Sequence, residues 1–305
     1  MRIKAMVQVF HEHKSMRIRR EIIFFPIAVI IVLSVIWFFF GNIENKKKTI
    51  QTDLYALTAP NPYAILAINR PASFTKHMLA SKPVYDAFTG KIPDIYLSLL
   101  SENKEQSTTL LSFHPQGIVY YSKTNTSVGN KIPEKFFNSF APQMQTKGDI
   151  TFSYYPDTGN QFFGCFQYHN IYVASYSKKL LEEAADILAS SPHTLSARQK
   201  QLRKTFDPNA PLNLMINSDS LDLYVKTGNS TEWRINDYWL GADIFMSEGN
   251  ICCFGSVPYF QTSDSLYQAL ADTLTLRIEQ IFPQFHIQNQ INIEGENVYY
   301  TGCNR

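Results

Sequence analysis

The sequence predicts an α+β protein: one N-terminal transmembrane helix followed by two similar halves of antiparallel hairpins, with short helices packed on the sheets. Three observations predict it. Residues 22–40, IIFFPIAVIIVLSVIWFFF, carry no charge. Beyond them, short apolar and aromatic runs alternate with Pro, Asp, Asn and Gly turns, the rhythm of hairpins. A ten-residue stretch also appears twice, as PNPYAILAIN at 60–69 and PNAPLNLMIN at 208–217, with five positions identical, no gap and an offset of 148.

The apolar segment is long enough to span about 28 Å as a helix, close to a bilayer's hydrocarbon core. Pro26 sits in its first turns, where proline harms a helix least, and Trp37 with Phe38–Phe40 sits at the end suited to headgroups. A core helix keeps a polar face and this segment has none. Six basic residues precede it and Lys46, Lys47 and Lys48 follow, which predicts a cytoplasmic N-terminus. Gly41-Asn42-Ile43-Glu44 is a poor cleavage site, so the segment reads as an uncleaved signal-anchor in the inner (cytoplasmic) membrane. The expected divisions are a basic cytoplasmic tail at 1–21, the transmembrane helix at 22–40, a stalk at 41–59, a first α+β repeat at 60–190, a linker at 191–207 and a second, truncated repeat at 208–305. Residues 1–40 are net +4 and residues 49–305 net −4. An acidic outer part argues against nucleic-acid binding, and the basic tail suits anionic lipid.

Within the first repeat, Tyr63–Asn69 reads as a strand and residues 72–88 as a helix split near Pro83. Strands at 108–113 and 118–123 flank His114-Pro115-Gln116-Gly117. Pro133 opens a short helix whose Phe136, Phe137 and Phe140 are expected on one face. A second hairpin, 149–155 with 161–167, turns through Gly159, and His169-Asn170 turns into a strand at 171–175. A helix follows from Lys178 to Leu188, with an apolar stripe of Leu180, Leu181, Ala184 and Leu188 and Ser177 at its N-cap. The linker carries a basic helix with Arg198, Lys200, Arg203 and Lys204, which suits an anion or lipid contact, or a solvated face; the solvated face is the expectation.

The second repeat reads as a strand at 212–217, a short helix at 220–226, a hairpin of 240–246 with 251–257, a helix at 264–276 and a hairpin of 286–293 with 297–301. Gly117 matches Gly249 at the first hairpin turn of each repeat, and Gly159 matches Gly295 at the second. On this alignment the second repeat stops before the last strand and helix of the first.

The basic N-terminus, the single anchor, the strand running from Pro60 to Ile68-Asn69 and the strand-to-helix run IYVASYSKKLLEEAADIL at 171–188 resemble an uncharacterised family of bacterial (Bacteroidetes-like) single-pass membrane-anchored proteins. The resemblance spans about residues 50–302 and implies an extracytoplasmic α+β domain with no established activity.

Chemistry is sparse. No nucleophile elbow, phosphate loop, dinucleotide fingerprint or paired-histidine zinc motif occurs. No catalytic, cofactor-binding or metal-ligating residue is expected. His114 and His169 fall in turns, where an exposed ring is ordinary. Asp219 and Asp222, three apart, would share a helix face, but Asp219 or Ser218 reads rather as an N-cap, and Asp157, Glu294 and Glu296 read as turn formers. Cys165, Cys252, Cys253 and Cys303 show no zinc or staple spacing; one disulfide is compatible with them, and buried thiols are the expectation. The surplus is aromatic: Tyr120, Tyr121, Tyr154, Tyr155, Tyr299 and Tyr300 form adjacent pairs in predicted strands. They would suit a protein or glycan partner if one sheet face were solvated, and would be core if both faces were covered. The expected function is that of an envelope binding or scaffold protein held in the bilayer by residues 22–40, with an envelope hydrolase as the alternative.

Overall fold

The computed structural model describes residues 53–80, 85, 92–103, 107–123, 133–137, 140–190, 195–217, 224–226, 232–234, 239–247, 250–258, 290–294 and 297–303. The apolar segment 22–40 and the predicted helix 264–276 lie outside them. No helix among the described residues is long and apolar enough to cross a membrane. Residues from Gln51 to Arg305 form one compact unit.

The strands are β1 (Ala64–Ile68), β2 (Thr109–His114), β3 (Gly117–Lys123), β4 (Gln143–Lys147), β5 (Ile150–Pro156), β6 (Phe162–Tyr168), β7 (Ile171–Ser175), β8 (Leu212–Asn217), β9 (Tyr224–Lys226), β10 (Glu232–Arg234), β11 (Trp239–Ser247), β12 (Asn250–Pro258), β13 (Gln290–Glu294) and β14 (Asn297–Cys303). The helices are α1 (Pro71–Ala80), α2 (Asp94–Glu102), α3 (Lys178–Ser190) and α4 (Ala197–Lys204). Twelve strands make one sheet in the order β13-β14-β12-β11-β8-β1-β2-β3-β7-β6-β5-β4, and β9 pairs with β10 apart from it. All its pairings are antiparallel.

The two copies of the ten-residue stretch meet inside this sheet. β1 and β8 pair so that Leu66 stands opposite Leu214, the same position in each copy, with Ala64 opposite Ile216 and Ile68 opposite Leu212. The flanking bonds repeat the relation: Asn69 N–H donates to the Pro211 carbonyl (2.9 Å) and Asn217 N–H to the Tyr63 carbonyl (2.8 Å). Outward from this seam, β1-β2-β3-β7-β6 on one side match β8-β11-β12-β14-β13 on the other. β6 and β7 close through two residues between Tyr168 and Ile171, and β13 and β14 through two between Glu294 and Asn297. In strand order the β13–β14 pair thus corresponds to β6–β7, whereas the sequence alignment set it against the β5–β6 hairpin. Among the described residues, what the second side lacks in the sheet is β4 and β5.

Both faces are covered where the first side is described. α1 and α2 bring Phe74, Met78, Ile95, Tyr96, Leu99 and Leu100 onto Leu66, Ile68, Leu111, Tyr120, Phe163 and Tyr172. Burying one such side chain contributes roughly 1.5–3 kcal/mol. On the other face α3 buries Leu180, Leu181, Ala184 and Leu188, the predicted stripe, and the Leu180 N–H donates to Ser177 Oγ (3.4 Å). A 3₁₀ turn, Leu54–Leu57, packs on β2 before the chain enters β1, and α4 packs on β11 before β8. Leu54 and Leu202, 148 apart, are both buried there. α4 is held by a capping box of Ser196 and Gln199. It is not only a solvated face: Leu202 is buried and Arg203 docks on Asp53 and Tyr55.

Other expectations change. α2 and β4 were not foreseen. Residues 224–226 are strand β9, not helix. Of Phe136, Phe137 and Phe140, only Phe137 is buried. Cys252 is disulfide-bonded. On β14, Cys303 stands opposite it in backbone register, and Cys165 and Cys253 remain thiols. The expectation of buried thiols alone is corrected accordingly.

Gly164 and Gly241 are positions where helix meets sheet. A Cβ on Gly164 would stand 2.7 Å from Leu181 Cδ2 and 2.8 Å from Tyr154 Cε1; on Gly241, 2.7 Å from Leu202 Cδ1 and 2.8 Å from Phe206 Cε1. Gly164→Val and Gly241→Val are each expected to destabilise by about 1–3 kcal/mol through overpacking. A lower denaturation midpoint in urea, with an unchanged slope, checks this.

Candidate functional site

Adjacent tyrosines point to opposite faces of a strand, and here both faces are filled. Tyr120, Tyr121, Tyr154 and Tyr155 are all buried. Tyr121 Oη accepts the Ala59 N–H (2.8 Å) on one face, while Tyr120 stacks near Tyr96 on the other. These four belong to the core and form no solvent-facing recognition surface. Tyr299 and Tyr300 lie in β14, opposite Ser256 and Gly255.

The aromatic concavity lies elsewhere, at the end of the sheet where β1 begins and β2 turns into β3. It encloses about 760 Å³. Its apolar walls are Tyr63, Phe113, Tyr96 and Tyr176, and its polar groups include His114, Asp157 and Gln161. Tyr63, 40% exposed, lies 6.2 Å from Phe113. Tyr96 comes from α2, donates its hydroxyl to the Ile118 carbonyl (2.8 Å), and meets Tyr176 edge-on at 6.3 Å. The Pro115-Gln116 turn that forms the lip needs Gly117, whose φ of 137° a side chain rarely adopts.

Asp157 is fixed from two sides. One carboxylate oxygen accepts the Thr158 N–H (2.7 Å) and the other the Tyr176 hydroxyl (2.7 Å). It is thus more than the turn former the sequence implied. Each oxygen keeps a lone pair for a further donor. Burial and the Asp157 carboxylate raise the Tyr176 hydroxyl above the ordinary phenol range, so it remains a donor.

His114 is buried, not an exposed turn residue. Burial lowers its pKa to about 4, against a hydrogen bond to the Pro60 backbone that raises it. Its Nε2 lies 2.9 Å from Ser112 Oγ. A serine beside a histidine invites a hydrolase reading, but Ser112 is wholly buried, out of reach of any substrate. Burial likewise pushes the Cys165 thiol up to about 12, which leaves it un-ionised and unreactive. Among the described residues no group of His, Cys, Asp or Glu is arranged to hold a metal.

Fold and cleft together define an α+β protein with one broad antiparallel sheet and an aromatic cavity at its end. No protein-family model matches the chain, and none of the curated proteins matches it. Three solved structures of TP0453 are similar to it. Crystal form I has a TM-score of 0.48 and 8% identity over 81% of this chain and 91% of that one. Form III has 0.47 and 9%, over 81% and 92%, and form IV has 0.45 and 10%, over 81% and 91%.

The His114 pKa fixes a pH dependence. A folded pKa near 4 against an unfolded value near 6.5 means that stability is complete above pH 6.5 and falls as pH drops towards 4. The loss is on the order of 2 kcal/mol from this group. In urea titrations from pH 7 to 4, His114→Gln is expected to flatten this limb relative to the unaltered chain.

Proposed function

We propose that this chain is a membrane-anchored, extracytoplasmic binding protein of a bacterial envelope, built as an internal duplication, whose aromatic cleft takes a neutral glycan. The cleft carries the reading. Tyr63 and Phe113 offer rings against which the C–H faces of a sugar pack, and Asp157 and Gln161 accept and donate to hydroxyls. The described lining contains no Lys or Arg and a single carboxylate, which favours an uncharged ligand over an anionic one. The volume suits a small oligosaccharide.

The membrane anchor rests on the uncharged residues 22–40 and the basic residues before them. The bacterial-envelope setting rests on the resemblance described above. The Cys252 disulfide supports an oxidising compartment for the outer part. The duplication is supported by the repeated stretch, the mirrored bonds of Asn69 and Asn217, and the matched strand order. Among the described residues of the cleft, none has the reach of a nucleophile with its base, so binding is preferred to hydrolysis.

Full-length protein in detergent micelles is expected to bind neutral N-acetylated oligosaccharides, seen as a saturable change in intrinsic fluorescence. Tyr63→Ala should weaken binding about tenfold, as loss of one ring contact of about 1.5 kcal/mol implies. Absence of saturable binding to any neutral glycan, or binding indifferent to Tyr63→Ala, would remove the glycan reading. For the compartment, the chain should stay in the membrane pellet after carbonate washing. Alkylation of denatured, unreduced protein from cells should label Cys165 and Cys253 alone; labelling of all four cysteines would place the outer part in a reducing space.

A further inference from the structure

A second cavity, of about 540 Å³, lies where β1 ends and β8 begins, between the 3₁₀ turn before β1 and the α4 segment before β8. Arg70, Lys123 and Arg203 all line it, and Asp53 is the one carboxylate among its lining residues. Asp53 is already engaged. It pairs with Arg203, whose guanidinium also lies 4.2 Å from the Tyr55 ring centre. Arg70 and Lys123 make no ion pair among the described residues. Among the described residues, the cavity therefore holds two cations with no ion-pair partner beside a third that is fixed in position.

Its floor is rigid. Asn69 donates to the Ala210 carbonyl (2.9 Å) and to Asn213 Oδ1 (2.5 Å), and accepts from Thr108 (3.2 Å). Asn213 donates in turn to Asp243 (2.6 Å), whose other oxygen accepts the Asp207 N–H (2.8 Å). The amides are spent on one another, which leaves the cations as the groups able to meet a ligand. Like charges held around one concavity repel unless an anion lies between them.

We propose that this cavity binds the phosphate group of a small anion or of a lipid headgroup, held by Arg70 and Lys123 with Arg203 as a prepositioned third contact. Guanidinium forks suit phosphate oxygens, and lysine adds a point charge. The site is separate from the aromatic cleft, and its test does not depend on glycan binding.

The experiment uses full-length protein in detergent micelles, with thermal unfolding and calorimetric titration against inorganic phosphate, and against sodium chloride at matched ionic strength. A second arm measures association with nanodiscs containing phosphatidylglycerol or only phosphatidylcholine. Phosphate is expected to raise Tm in a saturable way that chloride does not reproduce. Arg70→Gln with Lys123→Gln should weaken phosphate binding on the order of tenfold or more, as the loss of charge-assisted hydrogen bonds implies, and should not lower Tm without phosphate, since it relieves the repulsion among the cations. A Tm gain from phosphatidylglycerol that the double variant abolishes, without an effect of free phosphate, assigns the headgroup as the source. Equal responses to phosphate and chloride with no lipid effect, or responses unaltered in the double variant, overturn the proposal.

Discussion

The structure depends on the pairing of β1 with β8. Every other strand of the large sheet reaches the opposite half through these two, since β2 and all beyond it lie on one side and β11 and all beyond it on the other. The pairing is dense with apolar contact: Ile65, Ile68, Leu212 and Met215 are essentially inaccessible to solvent. It is also fixed in register. A slip by one residue would turn Leu66 and Ile68 away from α1 and α2 and bring Ile65 and Ala67 to that face. The bonds from Asn69 and Asn217 clamp the two ends of the seam against such a slip.

Much of this architecture was legible because its signals are local. The hairpins β2–β3, β11–β12 and β13–β14 announce themselves by short polar turns between alternating runs, and α3 by leucines and alanines at helical spacing. What was not legible lacks such signals. In α2 the polar face consists of Asp94, Ser98, Ser101 and Glu102 alone, and two serines among the buried Ile95, Tyr96, Leu97, Leu99 and Leu100 are a faint mark of helical period. β4 is the opposite case: all five residues are exposed on the sheet edge, and QMQTK has no apolar side to reveal a strand. The sequence alignment set β13–β14 against β5–β6 because a glycine marks a turn without saying which turn it is; strand order sets the pair against β6–β7.

The residues of the aromatic cleft were hidden for a related reason. Alternation correctly divided Tyr120 from Tyr121 and Tyr154 from Tyr155, but alternation cannot tell whether a face is covered. α3 and α2 cover both, and these four tyrosines became core. The exposed aromatic cavity is assembled from the entry to β1, the β2–β3 turn, α2, the β5–β6 connection and the exit of β7. No stretch of sequence contains more than a fraction of it. The register that sets Cys252 opposite Cys303 was hidden likewise, since a separation of 51 residues gives no hint that two positions face each other across adjacent strands.

The manner in which Leu66 meets Leu214 has a consequence for assembly. When a strand fits an edge of the same sequence pattern read in reverse, the fit belongs to any two copies and, between separate molecules, its occupancy would rise and fall with their abundance. Carrying both copies on one polypeptide replaces that dilution-sensitive encounter with a closure inside the chain, at a local concentration set by the chain that joins them and not by how much protein is present. The adhesive edge is satisfied from within and is not left open to strangers.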